Sequence, residues 1–203
     1  RNIIDNAGDY IDGGGHPNTR GSGQPDGPKF NKPGPIFMAT GGGSLFKKSV
    51  FEKVGLFDEE YFVYMEDVDL CLRAQLQGIK GWYEPKAIVY HIRMATSSRD
   101  MDFFQYLTFR NMTINVIKNF PFAVFAHDWN WLKIILVNLN TCLYHFMRGY
   151  GISAIRAEWY ILTHLPKLLK KRQEVQKTKV VSDEYFVSNI KKKKITFFGI
   201  LKN

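Results

Sequence analysis

The stretch that decides the fold runs from Thr40 to His91. It opens with Gly41-Gly42-Gly43-Ser44-Leu45-Phe46 and passes through Val54-Gly55-Leu56-Phe57-Asp58-Glu59. It reaches Tyr61-Phe62-Val63-Tyr64-Met65-Glu66-Asp67-Val68-Asp69-Leu70, then Arg73, Gly78 and Glu84-Pro85-Lys86-Ala87-Ile88-Val89-Tyr90-His91. The apolar run Ile36-Phe37-Met38-Ala39 reads as a buried strand feeding the glycine triplet. Glu66–Gln77 reads as a helix: Leu70, Cys71 and Ala74 share a face, Asp69 and Arg73 form an i,i+4 pair, and Gly78 stops it. Glu66, Asp67 and Asp69 then lie in the first turn, where the helix dipole and free N–H groups favour negative charge. A carboxylate held there beside a cleft suits a general base. The same residues also fit a plain helix start, an N-cap with two dipole partners. The three glycines let backbone approach a ligand closely, or simply make a tight turn. His91, ending a short apolar strand, is a candidate metal ligand or a polar strand end.

Upstream, residues 1–35 are rich in Gly, Pro, Asn and Asp, with short strands expected near Ile3-Ile4 and Tyr10-Ile11; they read as a linker or as a long loop lining a site. A short helix is expected over Lys48–Val54, stopped by Gly55, followed downstream by strands at Gly81–Tyr83 and Ala87–Tyr90. Asp102–Asn119 reads as a helix ended by Pro121. The segment Trp129–Arg148 contains Lys133, Asn138, Asn140, Thr141 and His145, which leaves no apolar run long enough to span a bilayer. On a helical wheel its polar residues fall within an arc of about 160°, opposite Trp129, Trp131, Leu132, Ile135, Leu139 and Leu143. That apolar face either packs on the domain or lies in a membrane interface. Ile152–Leu169 is a second amphipathic helix.

The chain has 203 residues, 45% apolar and 23% charged, which fits a globular protein of one to one and a half domains. Its net charge of +9 is unevenly placed: residues 1–164 hold 17 basic and 16 acidic side chains, and residues 165–203 hold 11 and 3. A near-neutral body argues against nucleic acid as partner and moves any anionic partner to the last forty residues. Two cysteines, Cys71 and Cys142, make no disulfide framework and fit a reducing, cytosolic setting. No signal peptide opens the chain, and a start at Arg1 reads as a portion of a longer protein.

Taken together, the motifs from Gly41 to His91, with Arg110-Asn111 in the next helix, resemble the second half of the catalytic domain of family 2 glycosyltransferases. The likeness is to the bacterial and archaeal rhamnosyltransferase-like members and runs from about residue 1 to Pro121. It implies an α/β fold, the C-terminal, acceptor-side half of a GT-A domain, followed by amphipathic helices and a basic tail. The implied activity is inverting transfer of a sugar from a nucleotide-sugar donor to a glycan or lipid-linked acceptor, as in cell-surface polysaccharide assembly. The resemblance makes Asp67 the base, with Glu66 orienting it or binding the acceptor. Gly41, Gly42 and Gly43 would line the substrate pocket. His91 would complete the coordination of a divalent metal, Mg or Mn, and Arg93 and Arg99 would close over phosphates from a flexible loop. The strand-terminal Asp-x-Asp that holds metal and diphosphate in this family is missing, because Asp67-Val68-Asp69 belongs to the base motif. The expected division is 1–122, the catalytic portion; 123–174, membrane-associated helices; and 175–203, a basic tail.

In the tail, Lys191-Lys192-Lys193-Lys194 precedes Ile195-Thr196-Phe197-Phe198, a pattern suited to an anionic membrane surface. The expected location is cytoplasmic, peripheral at the inner face of the cell membrane. A chain lacking the nucleotide-binding half would be inactive alone, and the rival reading is a non-catalytic acceptor- or membrane-binding module.

Overall fold

The glycine-rich opening folds into antiparallel structure that packs on the helices behind it. In the computed structural model, which describes residues 2–92, 100–127 and 130–190, strands β1 (Asp9–Ile11) and β2 (Pro17–Thr19) pair with Asp9 opposite Thr19. Asp12 builds their turn: its Oδ1 accepts the N–H groups of Gly14 and His16, both at 3.0 Å. Such short-range bonding is what Asp contributes to turns. At Gly15 φ is +86°, and a Cβ there would lie 2.3 Å from Val116, so only glycine lets this turn reach the helix beneath.

Strands β3 (Gly34–Ile36) and β4 (Gly81–Tyr83) form a second antiparallel pair, Ile36 facing Gly81, and a bridge between Asp9 and Met38 joins the two pairs. The strand expected at 36–39 is thus displaced. Beyond Ile36 the chain bonds side chains of the next helix: Gln75 donates to the Phe37 carbonyl (2.6 Å), and Cys71 Sγ meets the Ala39 N–H and carbonyl (3.4 Å each). No strand forms at 87–90. Ile88, Val89 and Tyr90 are exposed, because a turn at Glu84 leads the chain away from β4.

The helices are α1 (Lys48–Val54), α2 (Glu66–Leu76), α3 (Met101–Asn119), α4 (Phe122–Ala126), α5 (Asn130–Met147), α6 (Gly151–Lys177) and α7 (Asp183–Asn189). α3 lies between α2 and α6, α5 packs on α6, and α7 closes on α4. The main core joins Ile11, Met38, Leu72, Val116, Phe120 and Phe186, one apolar residue from nearly every layer. α6 runs on past Pro166 and past the boundary expected at 174/175. Its later turns are tied down from outside: Arg172 donates to the Ile117 and Phe120 carbonyls at 2.7 Å, and Gln176 to the Asn119 carbonyl at 3.1 Å. These are carbonyls that α3 leaves unpaired at its C-terminus, where a cation is favoured. Lys167, Lys171 and Arg172 are therefore parts of the folded body. The polylysine run lies outside the described residues.

α5 docks by its polar side. Asn130 and Thr141 are buried, Asn138 donates to Glu158 (3.3 Å), and His145 meets the Phe109 ring edge-on. Its apolar side, with Ile135, Leu139, Leu143 and Phe146, stays exposed. Of the apolar face read in the sequence, Cys142 packs against Phe109, Met112 and Ala157, so the packing reading holds there and not at Leu139, Leu143 or Phe146.

Candidate active site

The residues before α2 take an uncommon backbone path. Phe62, Tyr64 and Met65 have φ of 61°, 65° and 67°, left-handed values that are costly for bulky side chains and persist only when the surroundings impose them. α3 imposes them. Its buried Asn111 shares one amide group among the carbonyls of Tyr61 (2.9 Å), Val63 (3.1 Å) and Tyr64 (2.8 Å), and Asn115 donates to the Met65 carbonyl (3.2 Å). Arg110 bonds the Glu60 carbonyl at 2.6 Å. The Arg110-Asn111 pair read in the sequence is thus a clamp on the loop that launches α2.

At that launch Met65 is the N-cap, and Asp67 stands one residue inside the helix. Its Oδ2 accepts the Gly41 N–H at 2.7 Å and its Oδ1 accepts its neighbour's, Val68 N–H, at 2.8 Å. Gly41–Gly43 forms a single 3-10 turn. A Cβ on Gly41 would touch Asp67 at 3.5 Å, and one on Gly42 would meet nothing within 4 Å. The triplet therefore brings an N–H to the carboxylate, and Asp67 itself is only partly buried. Glu66 is half-buried, and its Oε2 is buried with no hydrogen-bond partner among the described residues. Burial pushes its carboxyl above the ordinary value, a backbone N–H partly offsets this, and Asp67 adds to the rise.

The other side of the triplet borders a cleft of about 750 Å³, lined by Gly42, Gly43, Asp5, Asp9, Trp82 and His91 among others. Asp67 does not line this cleft; the glycine turn separates the two. His91 Nδ1 lies 2.9 Å from Asp5 Oδ2, a pairing that sequence spacing did not signal. Nearby, burial raises the Asp9 carboxyl despite hydrogen bonds from Asn6 and Thr19. Among the described residues no group of three or more His, Cys, Asp or Glu side chains is placed to hold a metal. His91 and Asp5 together fit two ligands of a divalent cation and no more. Arg93 and Arg99 lie outside the described residues. Cys71 is buried, which pushes its thiol up to about 12, so it is an unreactive core group.

Beneath the loop lies a charge network that composition alone does not reveal. Lys118, only 2% exposed, bridges Asp58 and Asp69 at 2.7 Å each; Lys171 reaches Asp58 (2.7 Å) and Glu60 (3.0 Å); Lys167 reaches Glu60 (2.6 Å). Asp69 is fully buried between Lys118, Arg73 (2.8 Å) and the Asn119 amide (2.8 Å), so the i,i+4 pair read in the sequence is an interior one. Burial alone would raise Asp58 and Glu60. Bonds from Lys118 and Lys171 instead hold Asp58 well below the carboxylate range, and bonds from Lys167, Tyr160 and Lys171 bring Glu60 to about 2. Both pKa values are depressed by folding, so their stabilisation is complete above the ordinary carboxylate range and is lost as pH falls through the folded values. The urea midpoint is expected to fall steadily from about pH 4.5 toward pH 2, and Lys171→Met is expected to shallow that decline. An equal decline in the variant would remove the network from the account.

In sequence the chain is glycosyltransferase-like, and the likeness rests on partial matches. It is 42% identical over 66 residues to an N-acetylglucosaminyl-diphospho-decaprenol L-rhamnosyltransferase of Mycobacterium tuberculosis, covering 32% of this chain and 22% of that protein. Rhamnosyltransferase WbbL of Escherichia coli is 45% identical over 47 residues (23% and 18%). The low-salt glycan biosynthesis hexosyltransferase Agl10 of Haloferax volcanii is 31% identical over 103 residues (50% and 34%). The matched part thus spans between about a fifth and a third of these relatives' lengths. No family model and no solved structure matches the chain.

Proposed function

We propose that this chain carries the acceptor-side half of an inverting glycosyltransferase that moves a sugar from a nucleotide-sugar donor to a glycan or lipid-linked acceptor. One observation carries the reading: the Asp67 carboxylate is fixed by the Gly41 and Val68 N–H groups on a side chain that stays only partly buried. The acceptor hydroxyl would approach there. Its proton passes to Asp67 as its oxygen bonds the anomeric carbon, while the bond from that carbon to the diphosphate breaks and the nucleoside diphosphate leaves from the opposite face. Glu66, with an unpartnered oxygen in the same turn, is suited to a hydroxyl of the acceptor. A divalent metal would draw on His91 and Asp5 and would need further donors from elsewhere; when bound, it neutralises charge on the leaving diphosphate. The supporting relatives are rhamnosyl- and hexosyltransferases, one of them named for a decaprenol-linked acceptor.

The test is transfer by the full-length protein from a panel of nucleotide sugars to a polyprenyl-diphosphate sugar, with the anomeric configuration of the product read by NMR. Transfer with inversion is expected. Retention would overturn the mechanism, and absence of transfer with every donor would favour a binding module.

A further inference from the structure

α5 and α6 form an antiparallel hairpin. They are joined through Arg148–Tyr150, and Asn138 in the middle of α5 bonds Glu158 near the start of α6. Both helices present apolar residues to solvent. On α5 these include Leu139 (61% exposed), Leu143 (54%) and Phe146 (65%); on α6 they include Ile155 (60%), Trp159 (67%) and Leu162 (66%). Isolated exposed apolar residues are ordinary, but two adjacent helices aligned in this way form a patch of the kind that marks an interaction site. α5 holds the body through Asn130, Asn138 and His145 with Ile134 and Cys142, which leaves Leu139, Leu143 and Phe146 outside.

We propose that this hairpin rests its outward face on the interfacial layer of an anionic lipid bilayer. Three observations choose lipid over protein. The exposed charged residues of the hairpin are the cations Arg148, Arg156, Lys167, Lys170 and Lys177 and one acid, Glu174, while Glu158 is turned toward Asn138. Arg156 lies over the Tyr106 ring (5.1 Å) and Arg148 over Tyr144 (5.7 Å), contacts that restrain both side chains. An apolar face on a hairpin whose exposed charges are mostly cations complements anionic headgroups above acyl chains. A second copy laid face to face would instead set the same cations opposite one another. No helix among the described residues is long and apolar enough to cross a membrane, so the hairpin lies on the bilayer.

The test is flotation of the 203-residue chain with phosphatidylcholine vesicles, with and without phosphatidylglycerol. Binding to the anionic vesicles is expected, together with quenching of tryptophan emission by brominated lipid that is weaker in Trp159→Phe. Leu143→Glu with Leu162→Glu is expected to lower partitioning about a hundredfold. Both positions are exposed, so far-UV CD and the thermal midpoint should be unchanged. Asp67→Asn should bind vesicles like the parent, which separates this proposal from the assigned chemistry. Failure to bind anionic vesicles would overturn it. So would binding that survives the double substitution but disappears with salt, or a dimer in sedimentation that the double substitution dissociates without vesicle binding ever being seen.

Discussion

Replacing Asp67 with asparagine in the full-length protein is expected to lower kcat for sugar transfer about 10²–10⁴-fold, the usual contribution of a positioned proton acceptor. The substitution is nearly isosteric and removes the basic oxygen. The amide keeps one acceptor for either the Gly41 or the Val68 N–H and turns its NH2 group, donor against donor, toward the other. Asp67 is only partly buried, so unfolding should move by about 1 kcal/mol. Donor KM and donor binding should hold, because the carboxylate is assigned to the acceptor. Wild-type turnover in Asp67→Asn would remove it from the base role, and a matching loss of donor affinity would reassign it to the donor.

Lys118→Met is expected to have the largest effect on stability, about 3–5 kcal/mol, the range found when one partner of a buried ion pair is removed. Lys118 is almost fully buried and meets Asp58 and Asp69 at 2.7 Å each. Methionine fills much of the same volume but leaves two carboxylates with fewer cations. Asp69 keeps Arg73 and Asn119, and Asp58 keeps Lys171. The effect therefore depends on pH through Asp58, which Lys118 helps to hold below the carboxylate range: it is greatest near neutrality and shrinks as acid neutralises that carboxylate. Urea unfolding of parent and variant at neutral and acid pH measures both. A constant difference across pH would mean that Lys118 acts through packing alone.

Much of the fold was legible where local chemistry decides it. Gly55 and Gly78 end α1 and α2, Pro121 follows α3, and the apolar period marks α5. Legibility failed where a distant partner decides. α6 continues past Leu169, the end expected for it, to Lys177, because Arg172 and Gln176 bond the end of α3 more than fifty residues earlier in the chain. α7 was not foreseen, since its anchor Phe186 finds its place only against Phe37 and Phe120. The wheel of α5 separates two faces but does not say which one the protein holds; here Asn130 lies against the turn at Gly13 and Asn138 against Glu158. At the site, the sequence named Asp67 and the glycine triplet but not the bond from the Gly41 N–H to the Asp67 carboxylate, which joins residues 26 apart. The three-carbonyl clamp of Asn111 and the pairing of His91 with Asp5 span 47 to 50 and 86 residues, separations that carry no local signal.

α6 carries its exposed apolar stripe on one side and, on the other, Lys171 and Tyr160, which bond Asp58 and Glu60 in the loop leading to Asp67. A single rod with both attachments works as a spacer. An α-helix with its side chains is about 10–12 Å thick, so a surface against the outer stripe is kept about one helix diameter from that loop. With Asp67 in the proposed base role, its reach is then set by the girth of one helix, and an acceptor tethered to that surface would present its hydroxyl at the matching height.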